Sequence, residues 1–173
     1  MGSGHALLAP VPAMHIDSAL DRCADLGAVA FGTRKYDTFV DRKERGLFPG
    51  DPVFIYVSHG EGNWDREVSL EASFVTYVEG DSQFSWQLDL GEDRRVPAGI
   101  APYRPETCLR DGEDEQPLNE RPLGWWVVSA LRPADDRRTV GSFVSVDGGP
   151  LFQQDPHGVH PVPRYPLVVN DTR

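Results

Sequence analysis

The N-terminal half of the chain alternates between apolar runs and mixed stretches, and this pattern predicts a strand, a helix and a second strand. Residues 6–8 are apolar and precede two prolines, which is typical of a short strand. Apolar residues then recur at helical spacing between positions 16 and 24, with Asp17 as the predicted N-cap and Gly27 as the predicted end of the helix. Residues 28–31 return to an unbroken apolar run, which predicts the second strand.

Strands dominate the pattern after residue 50. Residues 53–57 are apolar on both faces, so we expect this strand at the centre of a sheet. Residues 67–78 alternate between apolar and polar side chains, and residues 83–90 do the same, which predicts a long strand and its hairpin partner. Residues 125–128 and 139–146 predict two further strands.

This order of elements favours the fold class α+β, mainly β. Strands and helices do not alternate along the chain, which argues against a doubly wound parallel sheet. We expect a small, partly closed β-barrel with one or two flanking helices. Residues 1–173 have the length of a single domain. Within it we expect an excursion rich in proline and acid at residues 91–122 and a proline-rich C-terminal tail at residues 156–166.

The composition is that of an ordinary globular protein, with 39% hydrophobic and 25% charged residues. Two cysteines, Cys23 and Cys108, cannot supply a dense disulfide framework. No run approaches the roughly 20 apolar residues that a membrane-spanning helix needs. The N-terminus lacks the pattern of a secretory signal. We therefore expect a cytoplasmic protein that has no membrane partner.

The charge is unevenly distributed along the chain. A net charge of -10 argues against a protein that coats nucleic acid by bulk charge. Residues 34–45, which we call the basic segment, nevertheless contain both lysines of the chain. A cluster of this kind predicts contacts with phosphate groups, and its members are Arg34, Lys35, Arg42, Lys43 and Arg45. The alternative is a solvated helix face with ion pairs such as Asp41 with Arg45.

Aromatic residues near the ends of the predicted strands suggest a pocket for a flat ligand. A flipped base needs flat apolar surfaces for stacking and a few polar groups to read its edge. The aromatic candidates are Phe31, Tyr36, Tyr56, Trp64 and Trp86, and the polar candidates are Thr33, Asp51 and Ser58. The alternative for Phe31, Tyr56 and Trp86 is a place in the hydrophobic core.

Signals for catalysis and metal binding are weak. No nucleophile elbow and no zinc-protease motif is present. His157 and His160 lie among prolines, which favours an exposed tail over a metal site. We therefore expect no metal and no organic cofactor.

The order of the motifs resembles the PUA-like superfamily, and within it the EVE domains more than the ASCH domains. The resemblance covers residues 5–80. Its most specific part is a Gly-Asp pair that precedes an apolar strand ending in a small polar residue. The matching segments are residues 9–10, 16–20, 31–36, 48–58 and 71–75.

EVE-like domains read modified bases, and in some bacterial proteins they are joined to a nuclease. The resemblance implies a non-catalytic reader of a modified nucleobase, such as a methylated cytosine, in single-stranded or flipped DNA or RNA. It also implies a nuclease domain or another protein as a possible partner. This chain has Phe31 where EVE domains usually carry Trp.

Two other functions remain open. An ASCH-like amidohydrolase acting on an acylated cytidine would bring together Lys35, Thr33 and Glu71. A protein-interaction or small-ligand domain would use the acidic surface outside the basic segment. A binding affinity that hardly depends on salt would favour this last function over nucleic-acid binding.

Overall fold

The computed structural model describes residues 4–34, 39, 46–58, 66–82, 94–110, 121–146 and 166–171. Its strands are β1 (His5–Pro12), β2 (Ala28–Thr33), β3 (Pro52–Ser58), β4 (Val68–Glu79), β5 (Asp81–Ser82), β6 (Arg94–Arg95), β7 (Gly124–Pro133) and β8 (Leu167–Asn170). Its α-helices are α1 (Ala13–Leu26) and α2 (Glu106–Arg110), and short 3₁₀ turns lie at Ala101–Tyr103 and Val140–Ser142.

Six strands form one sheet in the order β2-β7-β4-β3-β1-β8, and β5 pairs with β6. The β1–β3 pair is parallel and the other pairs are antiparallel. The fold is therefore α+β and mainly β, as predicted. Strand β3 lies inside the sheet, which confirms the inference from its two apolar faces. Within the described residues, β2 and β8 do not pair with each other, so the sheet is open and the expected partial barrel closure is not seen.

Strand β1 is longer than predicted because it continues through Pro10 to Pro12. Strand β8 pairs only with residues His5 to Leu8 of β1, so the prolines lie where β1 has a partner on one side only. A missing N–H group is tolerated at such a position in a sheet. The prediction that the prolines end the strand is therefore wrong.

Helix α1 begins at Ala13, before the predicted N-cap Asp17, which lies exposed inside the helix. Its C-terminal end is as predicted. Gly27 has φ 83°, a left-handed conformation that glycine adopts without steric cost, and its N–H donates to the carbonyl of Cys23 at 2.8 Å.

The two faces of the sheet have different covers. The helix face packs against Ala19 and Cys23 of α1, and its buried strand residues include Leu7, Val29, Phe31, Val53, Ile55, Leu70, Phe74, Trp126 and Val128. The opposite face carries two separate clusters. One contains Leu8, Phe54, Tyr56, Val140, Phe143 and Val169, and the other contains Ala30, Trp125 and Val127. Alternation along each strand separates these sets, because successive side chains point to opposite faces.

Residues 139–146 do not form the predicted strand. They form the 3₁₀ turn at Val140–Ser142, with isolated bridges at Thr139 and Ser145. Val140 and Phe143 lie three residues apart, so one turn of 3₁₀ helix directs both side chains into the opposite-face cluster. The predicted strand at residues 83–90 and the proline-rich tail before residue 166 lie outside the described residues.

Part of the predicted excursion at residues 91–122 is ordered against the sheet. Residues 94–110, which we call the strap, contain β6, a 3₁₀ turn and α2. Val96, Ile100 and Tyr103 pack on the Trp125 cluster of the opposite face.

Candidate nucleic-acid interface at the end of β2

Phe31 and Thr33 lie on the helix face at the C-terminal end of β2. Phe31 is directly opposite Trp126 of β7, and the two rings stack with centroids 4.5 Å apart and planes at 30°. Only 6% of Phe31 is exposed, because Trp126 and the surrounding core cover it. Phe31 thus belongs to the floor of any site at this end of the sheet.

A row of aromatic side chains continues from Phe31 across the sheet. Trp126 is opposite Tyr77 of β4, so three neighbouring strands contribute one ring each. Phe39 then stacks on Tyr77 with centroids 4.7 Å apart and planes at 2°, and its centroid is 6.3 Å from that of Phe74. We call Phe31, Trp126, Tyr77 and Phe39 the aromatic row. Phe39 is a residue of the basic segment, and the stack places this residue against the sheet.

The lack of a side chain at Gly124 leaves room for the Tyr77 ring of the aromatic row. It lies between Thr33 of β2 and Glu79 of β4, and the Tyr77 ring occupies the space that its side chain would fill. The Tyr77 ring can therefore lean towards the end of β2. As a result, Tyr77 of β4 and Thr33 of β2 lie at the same end of the sheet, with β7 between their strands.

Arginines from three chain segments lie at this end of the sheet. Arg34 donates a hydrogen bond from Nη1 to the carbonyl of Arg121, and the Leu123 N–H donates to the carbonyl of Thr33 at 2.8 Å. Arg95 of β6 is opposite Asp81, which follows β4. The sequence analysis missed Arg95 and Arg121, because the pairing of β2 with β7 brings Arg121 to the end of β2, and the pairing of β7 with β4 and of β5 with β6 brings Arg95 to the same end of the sheet.

Tyr56 does not share a pocket with Phe31. It is 1% exposed and packs with Phe54 and Phe143 on the opposite face. Strands β4 and β7 also separate it from β2. Tyr56 alternates with Ile55, which faces the helix, so strand geometry turns Tyr56 away from the predicted site. The expectation that both rings line one pocket is corrected accordingly.

Asp51 is engaged in the turn before β3. Its Oδ2 accepts a hydrogen bond from the Phe48 N–H at 2.7 Å, and its carbonyl accepts one from the Phe74 N–H at 2.8 Å. Gly50 has φ 94° and donates its N–H to the Phe74 carbonyl at 2.7 Å. These contacts give Asp51 a structural role that its predicted role as a base acceptor did not include.

The other predicted site residues are described only in part. Ser58 is the last residue of β3, opposite Pro12 of β1. Outside the described residues lie Tyr36, Trp64, Trp86, Lys35, Arg42, Lys43, Arg45, His157 and His160. Within the described residues, no group of three or more His, Cys, Asp and Glu side chains could hold a metal ion.

Thr33 and Glu71, the two described residues of the set proposed for a hydrolase, do not meet. Thr33 has the same strand parity as Phe31 and lies on the helix face, whereas Glu71 alternates with Leu70 and Ala72 and lies on the opposite face. Strand β7 separates β2 from β4. Glu71 instead contacts Arg132, with 3.3 Å between Oε2 and Nη2. Thr33 and Glu71 therefore cannot act on one substrate atom.

In the part of the chain that the structure describes, no helix combines the length and apolar character of a membrane span. No protein-family model and no curated protein matches the chain. Among solved structures, the chain is similar to a hypothetical protein from Leishmania major, with 17% sequence identity and a TM-score of 0.41. That similarity covers 92% of this chain and 87% of the other.

Proposed function

We propose that this protein reads a modified nucleobase, such as a methylated cytosine, in single-stranded or flipped form at the end of β2. The motif order resembling EVE domains supports this function. The observation that carries it is the parallel stack of Phe39 on Tyr77, 4.7 Å apart, because Phe39 belongs to the basic segment and Tyr77 to the aromatic row. In this proposal the cations of the basic segment contact phosphate groups at the end of the sheet where the rings receive the base.

Burial distinguishes the proposed roles of the residues at this end of the sheet. Phe31 and Trp126 are buried and stacked on each other, so they form a rigid floor. Tyr77 and Phe39 are half-buried residues. A base would stack on these rings, and the hydroxyl of Thr33, two strands away from Tyr77 at the same end of the sheet, would be the polar group that reads its edge. Tyr56 has no part in this site.

Charge on α1 restricts the direction of approach. Asp17, Asp21 and Asp25 follow one another at four-residue spacing and are all exposed, so the outer surface of the helix repels phosphate. A nucleic acid would approach from the end of β2 and contact few phosphates. For two or three contacts with a single strand, log K should fall with log salt at a slope of about −1 to −2.

The cell compartment follows from the same proposal. Cys23 and Cys108 are both thiols and not partners in a disulfide, which suits a reducing compartment. We infer that the protein acts in the cytoplasm, with a nuclease domain or partner protein as the effector that the resemblance implies.

The test is a comparison of two matched 12-nucleotide single strands, one with a single 5-methylcytosine and one with cytosine. Fluorescence anisotropy at 50 mM salt should give at least tenfold tighter binding of the methylated strand. A Lys35→Gln/Lys43→Gln variant should bind both strands more weakly and show a shallower salt slope. Arg137→Gln removes an exposed cation of the β7–β8 connection and should leave both affinities unchanged.

The proposal fails if wild-type protein binds the two strands equally in single-stranded and duplex form. If Arg137→Gln weakens binding as much as the double lysine variant, the phosphate contacts do not lie specifically in the basic segment and the proposed location of the site is wrong. An affinity that does not change between 50 and 300 mM salt would favour a protein or small-molecule partner instead.

A further inference from the structure

A buried hydrogen-bond donor on the opposite face of the sheet lacks an acceptor. Trp125 is 1% exposed, and among the described residues its indole Nε1–H has no hydrogen-bond partner. Trp125 follows Gly124 in β7 and points away from the aromatic row, so this donor is separate from the site at the end of β2. A phenylalanine could fill much of the same space without a donor to satisfy.

Native proteins rarely leave such groups unpaired, because a buried donor without an acceptor has lost its hydration and gained nothing. An ordered water is a poor substitute here. A buried water needs two to four polar partners, and the two buried residues that share the cluster with Trp125, Ala30 and Val127, have no polar side-chain atom. The indole N–H therefore fits an acceptor that arrives with an apolar ligand.

The floor around Trp125 is flat. Ala28 and Ala30 of β2 and Val127 of β7 have short side chains, so the large indole ring is the main surface of the cluster. The cover is the strap, whose Val96, Ile100 and Tyr103 are half-buried. Removing this cover would expose an apolar surface that carries the indole donor, which is the usual pattern of a small-molecule site.

The strap has local backbone structure of its own. Its own backbone hydrogen bonds close local turns, as in Ile100 N–H to the Pro97 carbonyl and Tyr103 N–H to the Ile100 carbonyl, both at 2.9 Å. Two hydrogen-bond contacts between the strap and α1 involve Thr107 in α2. The Thr107 Oγ1 lies 2.7 Å from Nδ1 of His15, and its N–H donates to Ser18 Oγ at 3.3 Å.

We propose that Trp125 is the hydrogen-bond donor of a second binding site, beneath the strap, for a small flat apolar ligand with one acceptor atom. The ligand replaces the strap side chains over the indole ring and accepts the Nε1–H. This site does not depend on the proposed function at the end of β2.

The test uses acetophenone and ethylbenzene, which share size and shape and differ in the carbonyl acceptor. In ¹⁵N-labelled wild-type protein, the Trp125 indole signal is assigned through its contacts with the methyl groups of Ala30 and Val127. Acetophenone at 1 mM should move the Trp125 Nε1–H proton downfield in a saturable way. Ethylbenzene should bind about fivefold more weakly, without the downfield shift.

Two variants complete the test. Trp125→Phe should stay folded and bind acetophenone no better than ethylbenzene, because the donor is gone. Thr107→Val removes the hydroxyl that lies against His15 and should tighten acetophenone binding severalfold, because the strap opens more easily. Three results would each overturn the proposal: an unchanged Trp125 signal, equal acetophenone binding by Trp125→Phe, or a long-lived water beside the indole proton in the free protein.

Discussion

The ring of Tyr77 lies over Gly124, in the space that a side chain at position 124 would occupy. A Cβ built on Gly124 would overlap the Tyr77 Oη and Cζ atoms and lie 2.7 Å from Cε2. Tyr77 cannot simply swing away, because its other neighbour is the stacked Phe39 ring. Gly124→Ala should therefore lower the free energy of unfolding by about 1–3 kcal/mol, measured by urea denaturation.

A double-mutant cycle separates this contact from other effects of the alanine. Tyr77→Phe removes the overlapping hydroxyl, so Gly124→Ala should cost less stability in that background. Gly99→Ala is the matched control, because nothing lies within 4 Å of a Cβ there. If Gly124→Ala costs the same in the wild-type and Tyr77→Phe backgrounds, the ring lies elsewhere in solution.

Phe39 should matter for binding more than for folding. Phe39→Ala removes the stack on Tyr77 and with it a ring of the proposed site, so affinity for the methylated single strand should fall by about tenfold or more. Phe48→Ala is the control, because Phe48 is an exposed aromatic outside the aromatic row. If Phe39→Ala binds as tightly as wild type, the stack has no role in binding the base.

Asp51 should behave as a turn residue. Asp51→Ala leaves the Phe48 N–H without its acceptor and should destabilise the protein by about 1–3 kcal/mol. Asp51→Asn keeps an oxygen that can accept the same bond, so its cost should be smaller and its affinity for the methylated strand within twofold of wild type. A large loss of affinity with unchanged thermal stability in Asp51→Asn would return Asp51 to the base site.

The pattern of apolar residues correctly predicted those features of the fold that local sequence determines directly. Residues Val53 to Val57 are apolar on both faces because β3 lies between β4 and β1, with a cluster on each side. The predicted end of the helix at Gly27 is correct, because the left-handed backbone conformation at this position favours glycine. In both places local sequence and tertiary structure require the same residue type.

Strand order and register are tertiary properties, and the errors lie there. Alternation shows that Trp125 and Trp126 point to opposite faces, but the sequence does not say that Trp126 meets Phe31. The same limit applies to Phe31 and Tyr56, whose strands are separated by two others. Pro10 and Pro12 are allowed in β1 only because β8 is short, which no local pattern reveals.

An irregularity in β7 determines which face Arg132 reaches, and Ala130 is its centre. Ser129 is opposite Ser73 and Arg132 is opposite Glu71, so Ala130 and Leu131 together face Ala72. The extra residue turns Leu131 to the helix face and Arg132 to Glu71.

Ala130 has φ 53°, which a β-branched residue resists. Ala130→Val should therefore lower the free energy of unfolding by about 1–2 kcal/mol, whereas Ala130→Gly should leave it unchanged or raise it by up to about 1 kcal/mol. Urea denaturation checks both values, and a valine variant as stable as wild type would show that the irregularity is not maintained in solution.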